Sequence, residues 1–147
     1  MLACIHFQGA RSMPTITGIA HVELSVRNLE TTEAWYGKVF DMQTVFRETG
    51  NQFGVSDLAM FEPHSHVVFA FTEHPTNNGE PFDPRRTGLD HVSYSVESVE
   101  ELARWREHLL ALGETPSPNV DWPSGATSFT VLDPDGIVIE LFVRARR

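Results

Sequence analysis

With one cysteine, Cys4, in 147 residues, the chain has no intrachain disulfide to form and no thiolate cage in which to hold zinc. That usage fits a reducing compartment, and the cytoplasm is the expected location. Long hydrophobic runs are missing as well, which excludes an apolar helix long enough to span a bilayer. Positive charge is scarce: 11 Lys and Arg stand against 20 Asp and Glu, a formal net charge of -9. Such a field repels phosphate backbones and anionic headgroups, and no basic cluster opposes it, so nucleic acid and membrane surfaces are not expected partners. Met1 to Ser12 lacks both a basic start and a sustained apolar stretch and is not read as a signal peptide. Residues 1–12 are set aside as an extension outside the fold, whether tag, misassigned start or loose arm. Residues 13–147 are expected to form one domain.

What is present is a repeat. Gly18 to Trp35, GIAHVELSVRNLETTEAW, lies over Gly88 to Trp105, GLDHVSYSVESVEELARW, at a constant offset of 70, with Gly, His, Val, Ser, Val, Glu and Trp in register. Each copy opens on alternation. His21, Glu23 and Ser25 share one face with Val22, Leu24 and Val26 behind them; His91, Ser93 and Ser95 do the same against Val92, Tyr94 and Val96. A helix follows each strand. Asn28 precedes the first, from about Leu29 to Phe40. Ser98 and Glu101 form a capping box for the second, whose apolar positions are Val99, Leu102, Trp105, Leu109 and Leu112 before Gly113. Three strand-like runs come next in each copy: Met42 to Glu48, Gly54 to Phe61 and His66 to Thr72, then Glu114 to Ser117, Ala126 to Leu132 and Val138 to Arg144. Asp133-Pro134-Asp135-Gly136 reads as a turn. The expected fold is α+β: two βαβββ modules, about 17–74 and 87–144, joined by a linker over 75–86. Their mixed sheet curls into a half-barrel with the helices on its outer face.

The faces left free of helices would line a cleft, and His21 and His91 fall on them. Glu140 joins them from a strand in which Val138, Glu140 and Phe142 face one way. A carboxylate between Ile139 and Leu141 is costly to bury without a partner, and a metal ion is a natural one. Two imidazoles and a carboxylate suit Fe(II), Mn(II), Zn(II), Ni(II) or Co(II) and leave positions open for substrate. A lone strand histidine is more often a hydrogen-bonded residue than a ligand; it is the coincidence in two repeats that favours the metal.

GIAHVELSV, GLDHVSYSV and LDPDGIVIELF, spread over Thr17 to Arg144, resemble the vicinal oxygen chelate superfamily, which includes glyoxalase I, fosfomycin-resistance proteins, methylmalonyl-CoA epimerase, extradiol dioxygenases and bleomycin-resistance proteins. The resemblance implies that His21, His91 and Glu140 bind one divalent metal. It further implies a small-molecule substrate chelated through oxygens, in a dioxygenase-like or lyase/isomerase-like reaction, and a homodimer whose site draws on both chains. The alternative it implies is a metal-free drug or metabolite binder of the bleomycin-resistance type. Glyoxalase I and the epimerase take a fourth ligand from the last strand of the first module, where this chain has Ala70 or, with a one-residue gap, Phe69.

Other residues carry competing roles. Glu23, beside His21, is a candidate general base or a rim group. Trp122, Phe129 and Phe142 are candidates for an apolar substrate wall, with core packing the competing role. Glu62, His64 and His66 look like a metal motif but surround Pro63 in an expected turn.

Overall fold

The computed structural model describes residues 15–145, so the extension over residues 1–12 lies outside the described residues. Each repeat becomes one sheet and one helix. In the first, β1 (Val22–Val26), α1 (Leu29–Phe40), β2 (Gln43–Glu48), β3 (Ser56–Phe61) and β4 (Val68–Glu73) follow in order. In the second come β5 (His91–Val96), α2 (Val99–Ala111), β6 (Val120–Asp121), β7 (Thr127–Leu132) and β8 (Val138–Val143). The sheets have matching orders, β1-β4-β3-β2 and β5-β8-β7-β6, with β1 parallel to β4 and β5 parallel to β8. The two sheets are open and neither is a closed barrel.

Local chemistry sets the helix bounds. The Asn28 carboxamide oxygen accepts from the backbone N–H of Thr31, and the Ser98 hydroxyl from that of Glu101, so each helix starts on a satisfied cap. Gly113 follows α2 at φ +83°, a conformation that costs glycine little. After α1 the same role falls to Asp41, at φ 53°.

The last strand-like run before β7 differs from expectation. Glu114 to Ser117 is not a strand; the pairing strand is the two-residue β6. Pro116 and Pro118 remove two backbone donors, so no ladder can run through this stretch. Ser117 alone bonds across, its N–H to the Thr130 carbonyl at 2.8 Å and its hydroxyl accepting from Thr130 N–H at 2.9 Å.

Alternation buries Leu24, Val26, Phe69, Phe71, Leu58 and Met60 under α1, and Phe129, Val131, Ile139, Leu141 and Val143 under α2. The opposite face of each sheet carries no helix. Between the modules an aromatic seam forms: Phe40 meets Tyr94 at 5.1 Å and Trp105 at 5.6 Å between ring centroids, and Phe69 meets Tyr94 at 5.7 Å. Each such pair adds about 0.5–1.5 kcal/mol beyond the area it buries.

A second inter-module contact is polar. The turn before β8 rests on the first module, where the Arg27 guanidinium donates to Asp135 Oδ1 at 2.6 Å and to the Pro134 carbonyl at 2.5 Å. Nearby, the Tyr36 hydroxyl donates to Asp133 Oδ2 at 3.2 Å. Asp133 and Asp135 shape the turn as expected, since Asp133 Oδ1 accepts from the N–H groups of Asp135 and Ile137. They also latch the modules together.

Candidate metal centre

In the second module β5 and β8 lie side by side with Ser93 opposite Glu140 and His91 opposite Val138. This register brings four polar groups together on the open face. Glu140 is buried, and its carboxylate accepts from the Ser93 hydroxyl at 2.7 Å while His91 Nε2 lies 3.5 Å from the same oxygen. On the other side of the ring, His91 Nδ1 is 2.6 Å from Asp90 Oδ1. A neutral imidazole that donates from Nδ1 to Asp90 must present a lone pair at Nε2, and that lone pair then faces a carboxylate oxygen. A second ring proton, a bridging water or a metal ion reconciles two acceptors that face each other at this distance. A histidine that is oriented by a carboxylate on its far nitrogen is the arrangement in which metal-ligating imidazoles are held. The donor set therefore fits a divalent metal.

The first module repeats the arrangement with one exchange. β1 pairs with β4 so that Glu23 stands opposite Ala70, the positions that Ser93 and Glu140 occupy in the second sheet. The offset of 70 thus holds without a gap: Ala70, not Phe69, is the counterpart of Glu140, and Phe69 is buried on the helix-covered face. His21 Nε2 is 3.9 Å from Glu23 Oε2, and both side chains are 52% exposed. Glu23 Oε1 lies 2.8 Å from the Thr72 hydroxyl, which is also 2.9 Å from Asp57 Oδ1. Asp57 in turn accepts from the Asn51 carboxamide at 2.5 Å.

Of the three expected ligands, His91 and Glu140 are thus paired in the second module, while His21 stands in the first module beside Glu23. Among the described residues no three His, Cys, Asp or Glu side chains converge on one point. His21 and His91 do line one cavity of about 530 Å³ at the seam, together with Phe69, Ser93, Tyr94 and His66. The Glu62, His64 and His66 motif is a turn. The Glu62 carboxylate accepts from the N–H groups of His64 and Ser65, and although burial pushes its pKa up, these bonds hold it below the usual carboxylate range. His66 sits at φ 61° with its ring stacked on Phe61 at 5.6 Å.

The candidate wall divides. Phe142 pairs with Ser128, and the Trp122 indole N–H donates to the Ser128 hydroxyl at 3.0 Å, so Trp122 and Phe142 flank the open face of the second sheet. Phe129 does not join them. It is 1% exposed, pairs with Leu141 on the helix-covered face, and carries the Arg106 guanidinium over its ring at 4.5 Å. Its place is the core. Asp90, Ser93, Thr72, Asp57 and Asn51 were not singled out from sequence. Asp90, adjacent to a candidate ligand histidine, was the one with a visible signal.

The family model described as the glyoxalase/bleomycin resistance protein/dioxygenase superfamily matches residues 18–141. Biphenyl-2,3-diol 1,2-dioxygenase 2 of Rhodococcus globerulus is 31% identical over 122 residues, which are 83% of this chain and 60% of that protein. The chain thus spans three-fifths of the length of this relative. Among solved structures, a glyoxylase/bleomycin resistance protein/dioxygenase domain from Frankia sp. EAN1pec is 29% identical with a TM-score of 0.78, over 88% of this chain and 99% of that one. The fosfomycin resistance protein FosX of Listeria monocytogenes, solved with Mn(II) and sulfate, shares the fold at 19% identity and a TM-score of 0.65, over 88% and 93%.

Proposed function

Because the chain belongs to the glyoxalase/bleomycin resistance protein/dioxygenase superfamily, we propose that it is a divalent-metal-dependent enzyme acting on a small organic molecule, dioxygenase-like or lyase/isomerase-like in its chemistry. His21, His91 and Glu140 would hold the metal. The observation that carries this reading is the pairing of His91 Nε2 with the buried Glu140 carboxylate at 3.5 Å while Asp90 occupies the other ring nitrogen. The diol named for the Rhodococcus relative and the Mn(II) bound by FosX agree with it.

A bound divalent metal supplies Lewis acidity toward the oxygens of a chelating substrate. The chain's own residues do the rest. Asp90 fixes the tautomer and orientation of His91, and Ser93 holds the Glu140 carboxylate toward the open face. Trp122 and Phe142 provide flat apolar surface that would strip water from a substrate ring. The open faces of both sheets would be covered by a second copy, giving a homodimer whose sites draw on both chains; a monomer by mass measurement in solution speaks against this arrangement.

The test is metal content after anaerobic reconstitution with Fe(II) or Mn(II), for the native chain and for His91→Ala, followed by a screen of aromatic diols. The native chain should retain about one metal per chain and the variant far less. Equal and negligible metal in both overturns the proposal. Tight ligand binding that survives chelator treatment unchanged would instead identify a sequestering protein.

A further inference from the structure

We propose that Glu23 is a fourth metal ligand, and that it stands in for the carboxylate which the repeat would otherwise place at Ala70. The inference rests on the metal-dependent reading above and deepens it.

It comes from the register of the two sheets. In the second module the paired positions hold Ser93 on the first strand and Glu140 on the last; in the first module they hold Glu23 and Ala70. The carboxylate and the small residue have traded strands. Paired residues on neighbouring strands stand on the same face about 5 Å apart, so a glutamate rooted at either one delivers its carboxylate to the same region beside the histidine. Distances agree. Two ligand atoms at about 2.1 Å from one metal, at tetrahedral or octahedral angles, lie about 3.0–3.5 Å apart. His91 to Glu140 spans 3.5 Å and His21 to Glu23 spans 3.9 Å, so each module presents one nitrogen and one carboxylate oxygen close to chelating separation.

A second observation points to a cation. The Thr72 hydroxyl has one proton, yet two carboxylate oxygens lie 2.8 and 2.9 Å from it, Glu23 Oε1 and Asp57 Oδ1. It can donate to only one of them at a time. Among the described residues no Lys or Arg pairs with Glu23, and the basic side chain beside it is the His21 imidazole, 3.9 Å away. With Glu23 included the chain offers two imidazoles and two carboxylates, one of each per module. A pair of such half-sites, from one chain or from two, makes one four-ligand site per chain.

The experiment titrates Co(II) or Mn(II) alone into the purified full chain, by competition against a chromophoric chelator, with the visible absorption of Co(II) as a reading of coordination. Three variants are compared with the native chain: Glu23→Gln, the exchange Glu23→Ser with Ala70→Glu, and His91→Ala. Glu23 is half exposed, so thermal unfolding should show the first variant as stable as the parent. Expected are one metal per chain, an affinity at least tenfold weaker in Glu23→Gln, a changed Co(II) spectrum, and recovery of most of that loss in the strand-exchanged variant, which copies the second module. Native-like affinity and spectrum in Glu23→Gln, with binding lost in His91→Ala, overturns the fourth-ligand role and leaves Glu23 to serve as a base or a rim group. Two weak metals per chain would also overturn it, because the half-sites would then act alone. No metal in the native chain removes the metal-dependent reading and this inference with it.

Discussion

Replacing Asp133 with asparagine should make the stability of this protein less dependent on pH between 4 and 6. The carboxyl is 5% exposed, and burial raises its pKa from 3.8 to about 6, against the opposing pull of the N–H groups of Ile137 and Asp135. The folded value stands above the unfolded one. Between the two, the folded chain therefore keeps a proton that the unfolded chain has lost, and stability falls as pH rises through this window. Two units of difference correspond to about 3 kcal/mol, fully present below the unfolded pKa and lost above the folded one. Asparagine has no such titration. Its carbonyl can still accept from both N–H groups, and its amide can donate to the Tyr36 hydroxyl in place of the bond now running the other way. Urea unfolding at intervals from pH 4 to pH 8, with chelator present, gives the difference between native chain and variant. The native chain should lose about 2.5 kcal/mol relative to the variant between pH 4 and pH 7, and almost nothing further above it. A difference constant to within about 0.5 kcal/mol across the range would refute the argument. Comparing the two chains cancels the groups that act in the opposite sense, such as Asp83, which Arg85 holds at about 2.

Further predictions follow from other contacts. Arg27→Ala should destabilise by about 1–2 kcal/mol in chemical unfolding, since it strands the buried Asp135 carboxylate, with the partial exposure of Arg27 keeping the loss modest. Phe129→Ala should cost about 3–5 kcal/mol by opening a core cavity; a substrate-wall residue would lose ligand affinity and little stability. Ser98→Ala removes the cap on α2 and should cost about 1 kcal/mol, read as a lower thermal midpoint.

The parts of this fold that were legible in the sequence are those where a local pattern and a physical need coincide. Alternation around His21 and His91, with the offset of 70, gave both first strands and, through Asn28 and Ser98, both helix starts. The offset also anticipated Ala70 as the counterpart of Glu140, which strand register bears out. For Phe129 the competing role, core packing, holds, and alternation carries it: Phe129 and Val131 alternate with Ser128 and Thr130, so the apolar set belongs to the covered face. Other features need three dimensions. That Thr72 reaches both Glu23 and Asp57 depends on which strands become neighbours, and no spacing along the chain encodes that. The latch of Arg27 and Tyr36 on the turn at 133–136 joins residues about a hundred positions apart, where a turn motif signals only its own geometry.

That turn has a consequence for how the protein can change over time. Arg27 directly follows the strand that begins after His21, and its partner Asp135 comes just before the strand that carries Glu140. The contact between them acts as a surveyor's datum from which the positions of both strands are measured. Residues that flank the open face, such as Trp122 and Phe142, can change without disturbing it. A substitution at Arg27 or Asp135 would loosen the register of the two halves while His21, His91 and Glu140 all remained in the sequence, so a relative that keeps these three but loses this pair should be the first suspected of having lost the proposed site.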